Sequence, residues 1–329
     1  MTLASQTHGL AKKHLGASLA LYDALSRAGG GHPRADQVRA FVDCPERLAV
    51  SDEPFAMKYD GYLAAGTRAA WGFTVNARYD SRSVSTLLGD AIEAAAASNA
   101  EALLEAVARL RGALPRPGMT TVSFAFDRPD QPPRLKVYLQ EDRWGEGVGT
   151  AEQVGAGLSA CGLGCELPSW VAQGTSIGVV TLEAPPDAPL RAKAYIGTSS
   201  LGDAFAGSPD EVRALSLQMA AACPLESTYY YLTMRLARGE SVRYAVNKIY
   251  DLAAQRYGLE RPVTLAAFRD VAGLFRAAGK TRALHAVLAE LRRPLADGRS
   301  PRVVPTATAI EDAGRSVDLY CAAFSMDHA

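Results

Sequence analysis

A ten-residue pattern occurs twice in this chain, and it constrains the fold more than any other feature. Pro129-Asp130-Gln131-Pro132-Pro133-Arg134-Leu135-Lys136-Val137-Tyr138 and Pro186-Asp187-Ala188-Pro189-Leu190-Arg191-Ala192-Lys193-Ala194-Tyr195 share the form P-D-x-P-x-R-x-K-x-Y. In each copy a proline-rich turn leads into strict alternation, the period of a β-strand. Arg134, Lys136, Tyr138 and Gln140 therefore share one face, and Leu135, Val137 and Leu139 the other. Arg191, Lys193 and Tyr195 sort against Ala192, Ala194 and Ile196 in the same way. Thr74, Asn76 and Arg78 oppose Phe73, Val75, Ala77 and Tyr79, while Tyr229, Tyr231 and Thr233 oppose Tyr230, Leu232 and Met234. Asp318 and Tyr320 oppose Val317, Leu319 and Cys321 near the end.

Around these strands the periodicity predicts helices over 4–28, 35–42, 84–112, 151–162, 209–222, 241–257, 263–274 and 279–292. It predicts strands over 54–60, 72–79, 119–127, 133–141, 177–184, 190–197, 227–236, 302–308 and 315–324. The order is helix, two strands, helix, two strands. Short turns make adjacent strands antiparallel, and the helices carry the chain to the next hairpin. A repeated hairpin-plus-helix module suggests a closed or stacked array. If the intervening helices cover the apolar faces, the polar faces line the inside of a barrel, the inverse of a small barrel filled by side chains.

A lumen lined by Arg, Lys and Tyr suits a ligand with an anionic and a hydrophobic part. The cations offer charge and forked donors to phosphate oxygens, and tyrosine offers a hydroxyl and a cation-attracting ring face. The anion site is local, because 35 basic and 35 acidic residues leave a formal net charge of +0. No global field favours nucleic acid or an anionic membrane. No apolar run reaches spanning length, and no cleavable leader follows Lys12 and Lys13. The five scattered cysteines fit reduced thiols in a cytoplasmic protein, most of them in the core.

Other chemistries find little support. Gly174-Thr175-Ser176-Ile177-Gly178 has the spacing of a nucleophile elbow, but a strand follows it where a helix is needed. The histidines, and Cys161 with Cys165, lack metal-ligand spacing. There is no P-loop and no D-D-x-x-D, so a diphosphate here would be held mainly by cations.

These strands resemble those of the aromatic prenyltransferases of the ABBA, or PT-barrel, type. Lys136/Tyr138 and Lys193/Tyr195 look like the family's Lys-x-Tyr pairs, and Val317–Phe324 resembles the terminal strand of the smaller peptide-modifying branch, the cyanobactin prenyltransferases. The resemblance implies an α+β fold, an antiparallel barrel of about ten strands with a polar lumen inside a ring of helices. It implies one domain over 1–329, with 1–45 as a helical segment packed on it.

It also implies a dimethylallyltransferase that moves a C5 group from dimethylallyl diphosphate to an electron-rich side chain of a peptide. Two alternatives stand beside this: a free amino acid, indole or phenol as acceptor, and a non-catalytic barrel that binds an anionic lipid or phosphorylated metabolite. By the resemblance, Lys58, Arg78, Lys136, Arg191 and Lys193 hold the diphosphate. Tyr138, Tyr195, Tyr229, Tyr231 and Tyr320 shield the allyl cation, and Glu46 takes the acceptor proton. No cofactor is required; magnesium can accompany the diphosphate, with no protein ligands for it evident.

Overall fold

In the computed structural model, residues 20–21, 59–66, 72–79, 99–115, 120–126, 134–141, 146–185, 188–201, 205, 207–225, 229–250, 261–292, 298, 302–311 and 314–324 are described. The segment over 1–45 expected to be helical, apart from residues 20–21, lies outside them, as do Cys44, Glu46 and Lys58.

The strands are β1 Tyr59–Gly66, β2 Gly72–Tyr79, β3 Thr120–Phe126, β4 Arg134–Gln140, β5 Gly149–Thr150, β6 Ser176–Ile177, β7 Val179–Ala184, β8 Arg191–Thr198, β9 Tyr229–Leu236, β10 Arg243–Ile249, β11 Arg302–Glu311 and β12 Ser316–Phe324. The helices are α1 Ala100–Ala113, α2 Ala151–Ala160, α3 Asp210–Ala222, α4 Arg261–Ala277 and α5 Thr281–Glu290. β5 and β6 form a small separate pair. The other ten strands close a barrel in the order β1-β12-β11-β10-β9-β8-β7-β4-β3-β2. Every neighbouring pair in it is antiparallel.

The duplicated pattern predicts two of these strands closely. β4 and β8 both begin at the pattern's arginine, and both alternate half-buried polar with buried apolar positions. Leu135, Val137, Leu139, Ala192 and Ala194 belong to the core beneath the helices, with Leu103, Val107 and Leu110 of α1 and Val154 and Leu158 of α2. The core is thus a shell around the barrel, and the polar faces are left to the lumen. α1 and α2 pack together, with α1 over β7, and α3 and α4 pack over β10 and β11.

Helix boundaries follow local chemistry. α2 starts at a capping box in which the Thr150 hydroxyl accepts from the Gln153 N–H and the Thr150 N–H donates to Gln153 Oε1. α3 carries Asp210 and Glu211 in its first turn, where carboxylates offset the positive end of the helix dipole.

One boundary is extended and one element changes type. Over its described part, residues 59–60, the strand expected over 54–60 is the start of β1, which continues to Gly66 past Gly61, a residue that weakens the strand signal. The helix expected over 241–257 is, over its described part, strand β10. Its outer face carries Lys248 among Tyr244, Val246 and Tyr250, and its inner face carries Ala245 and Ile249, so neither face reads as purely apolar or polar.

Cys161, Cys165, Cys223 and Cys321 are free and buried, and burial pushes each thiol up, Cys161 to about 11 and Cys223 to about 12. No described helix is long and apolar enough to cross a membrane.

Candidate active site

Cross-strand register tells which side chains share the lumen. Lys136 on β4 lies opposite Glu183 on β7, and Tyr138 opposite Thr181. Thr181 lies opposite Lys193 on β8, and Glu183 opposite Arg191. Lys193 in turn faces Arg235 on β9, which faces Arg243 on β10. Three adjacent strands thus set Lys193, Arg235 and Arg243 side by side, although like charges directly opposite destabilise a sheet. Such a row is costly on its own and favourable around an anion.

Two carboxylates moderate it. Glu183 is 1% exposed and receives Lys193 Nζ at 2.6 Å and an Arg134 nitrogen at 3.8 Å; Glu311 lies 3.9 Å from Arg235. Burial alone would raise the Glu183 carboxyl, but Lys193, Arg134 and Lys136 hold it well below the usual carboxylate range. Burial pulls the Lys193 ammonium below its ordinary value, Glu183 opposes the fall, and Arg235 and Arg134 add to it.

The tyrosines stand further along the same wall. Tyr195 and Tyr231 meet edge-on at 5.7 Å between ring centroids, and Tyr229 and Tyr231 at 4.8 Å. Burial, then the neighbouring charges of Tyr195, Glu183 and Tyr320, raise the Tyr138 hydroxyl well above its ordinary value. Tyr320 on β12 is raised by burial, Asp318 and then Tyr195, so it too stands within electrostatic reach of that group. Burial likewise raises Tyr195 and Tyr231. Tyr229 rises to about 12 through burial and the nearby Glu141, to which it is hydrogen-bonded. All five are neutral near neutral pH and offer hydroxyl donors and π-faces without charge.

One backbone position sets the Tyr229 ring. A Cβ at Gly197 would lie 1.8 Å from the Tyr229 hydroxyl oxygen, so only glycine at 197 allows the approach. Asn247 braces the same wall by donating to Thr233 Oγ1 at 2.7 Å.

The barrel therefore gathers Lys136, Arg191, Lys193, Tyr138, Tyr195, Tyr229, Tyr231 and Tyr320 on one interior. Arg78 occupies the β2 position opposite Thr121 of β3, while Glu46 and Lys58 lie outside the described residues. Arg235, Glu183 and Glu141 escaped the sequence reading. Arg235 was within reach, because the alternation Tyr229, Tyr231, Thr233 continues to it. Glu183 had the same signal in Val179, Thr181, Glu183. Among the described residues, no three His, Cys, Asp or Glu side chains come together as a metal cluster.

No protein-family model matches the chain, and no curated protein matches it. Solved structures do. The 5-dimethylallyltryptophan synthase of Streptomyces coelicolor superposes with a TM-score of 0.57 at 18% identity, over 99% of this chain and 98% of that one. The 6-dimethylallyltryptophan synthase of Micromonospora olivasterospora, in complex with DMASPP and Trp, gives 0.58 at 17% identity, over 93% and 95%. The prenyltransferase PriB, in a ternary complex with L-tryptophan and dimethylallyl thiolodiphosphate, gives 0.56 at 17% identity, over 94% and 95%. The chain shares the PT-barrel fold of these prenyltransferases along nearly its whole length.

Proposed function

We propose that this chain transfers a dimethylallyl group from its diphosphate to an electron-rich aromatic acceptor. The observation that carries the reading is Lys193 opposite Arg235, with Lys136 and Arg191 beside them, in one lumen with five tyrosines. The shared fold supports it, and solved neighbours hold a dimethylallyl thiolodiphosphate and tryptophan.

In this mechanism the allylic C–O bond of dimethylallyl diphosphate breaks, and the diphosphate departs with the electron pair. Its growing charge is met by Lys136, Arg191, Lys193 and Arg235, together with Lys58 and Arg78, in a preorganised site. Tyr138, Tyr195, Tyr229, Tyr231 and Tyr320 face the allyl cation with their π-systems and exclude water that would capture it. An aromatic carbon of the acceptor attacks, forming the new bond, and a proton leaves to a base, the role assigned to Glu46. The tryptophan in the solved neighbours supports a free amino acid as acceptor, beside another small indole or phenol and an electron-rich side chain of a peptide.

Incubation with dimethylallyl diphosphate and a panel of L-tryptophan, indole, tyrosine, phenols and Trp, Tyr, His and Arg peptides, read by mass spectrometry, tests this. A gain of one prenyl unit on a small aromatic is expected. A gain confined to peptides moves the acceptor and keeps the donor chemistry. No gain on any acceptor overturns the transferase and leaves a barrel that only binds anions.

Gly197→Ala tests the tyrosine wall. The added methyl displaces the end of a side chain, so the overpacking cost stays near the low end of about 1–3 kcal/mol. Misplacing the Tyr229 ring near the reacting carbon is expected to lower turnover by about 10²-fold. Steady-state rates and a melting curve on one preparation separate the two effects.

A further inference from the structure

Glu183 has no part in the reaction just described: it is an anion set among the groups assigned to an anion. Its carboxylate is 1% exposed, pairs with Lys193 at 2.6 Å and Arg134 at 3.8 Å, and lies directly opposite Lys136. A buried carboxylate is costly unless paired, and a threonine or glutamine at this position would satisfy a strand without that cost. The carboxylate's partners are two of the inner cations, not bystanders. Lys193 is also a mobile partner, since its ammonium is a point charge with three donors on a flexible stem. It can turn from a carboxylate oxygen to a phosphate oxygen without moving β8.

We propose that Glu183 is the resident counter-ion of the diphosphate site. It holds Lys193, with Arg134 beside it, when no diphosphate is bound, competes with the diphosphate for Lys193, and reclaims that ammonium as the product diphosphate leaves. The proposal rests on the transferase reading. Its physical content is a lowered affinity: every diphosphate that binds must break a buried ion pair and then sit near a carboxylate of like charge. That weakens substrate binding and prevents the site from being trapped by the diphosphate it releases.

A purely structural brace makes the opposite prediction. If Glu183 served only to hold Lys193 in place, removing its charge would loosen the cation and weaken diphosphate binding. The sign of the change therefore decides between the two.

The test is calorimetric titration of the full chain with inorganic pyrophosphate, comparing wild type with Glu183→Gln. The variant is expected to melt at a lower temperature, because Lys193 loses its partner, yet to bind pyrophosphate about tenfold or more tightly and gain more melting temperature from it. Should Glu183→Gln not fold, Glu183→Asp takes its place. Its carboxylate is drawn back from Lys193 by one methylene, and a gain of about threefold in the same direction is expected. Unchanged or weaker binding in the variant, with wild type binding normally, overturns the counter-ion and leaves the transferase standing. Binding by neither protein strikes the anion site itself, and both readings fall together.

Discussion

Replacing Lys136 and Lys193 together with alanine is expected to cut dimethylallyl transfer by about 10⁴-fold or more while the barrel stays folded. Removing one preorganised donor to a developing charge costs about 10²–10³-fold, and here two cations are lost from adjacent parts of one wall. Neither side chain contributes to the apolar shell, which is built from the other face of the same strands. Lys193→Ala does remove the cation 2.6 Å from Glu183 and leaves it Arg134 at 3.8 Å, with Lys136 opposite. Some melting temperature is therefore lost, and circular dichroism and thermal melting report that cost apart from the chemistry. The double variant should fail even at saturating donor, because the cations act on the leaving group as its charge grows and not only on binding. A double variant that turns over at near wild-type rate would remove these strands from the mechanism.

The sequence was most legible where period and composition agreed. In β4 and β8 one face is wholly apolar and the other carries the same Arg, Lys, Tyr order, so strand, face and lumen could be read from the residues alone. Legibility failed where a few residues broke the contrast. β10 reads as a helix because Lys248 stands on its helix-covered face and Ala245 and Ile249 on its lumen face, which blurs the period of two. Alternation with Thr181 shows the face of Glu183 but not its surroundings, because an acid next to a strand's end ordinarily meets solvent; only the pairing of β7 between β4 and β8 brings three cations to it. That pairing, like the closure of β1 on β12, joins residues far apart in sequence. It is fixed by packing, and no local pattern encodes it. The row of Lys193, Arg235 and Arg243 is likewise a property of register.

The same strand that misled the sequence reading holds the group with the largest expected effect on stability. Lys248 is 0% exposed on the outer face of β10, and its ammonium uses all three donors: to the Cys223 carbonyl at 3.0 Å, to the Leu225 carbonyl, and to Asp270 Oδ2 at 2.7 Å. Asp270, on α4, is 1% exposed and accepts with its other oxygen from the Leu225 N–H at 3.2 Å. α4 comes this close because Gly273 lies against the end of α3, where a Cβ would be 2.2 Å from the Ala222 carbonyl oxygen. One ion pair thus binds the barrel wall to the C-terminal end of α3 and to the middle of α4. Asp270→Ala leaves Lys248 charged, buried and without a counter-charge, and should cost about 3–5 kcal/mol, read as the shift in a urea unfolding curve. Lys248→Met should cost a similar amount by stranding the carboxylate. Lys248→Met with Asp270→Leu removes both charges and should recover most of the loss, because an apolar pair of similar volume needs no desolvation. Single variants within about 1 kcal/mol of wild type would show that water reaches the pair and that the clamp is weak. Asn247, next to Lys248, donates to Thr233 on the lumen side, so loosening this outer clamp should also slacken the wall that carries Tyr231. Turnover in the singly charged variants is therefore expected to fall at temperatures where they are still folded.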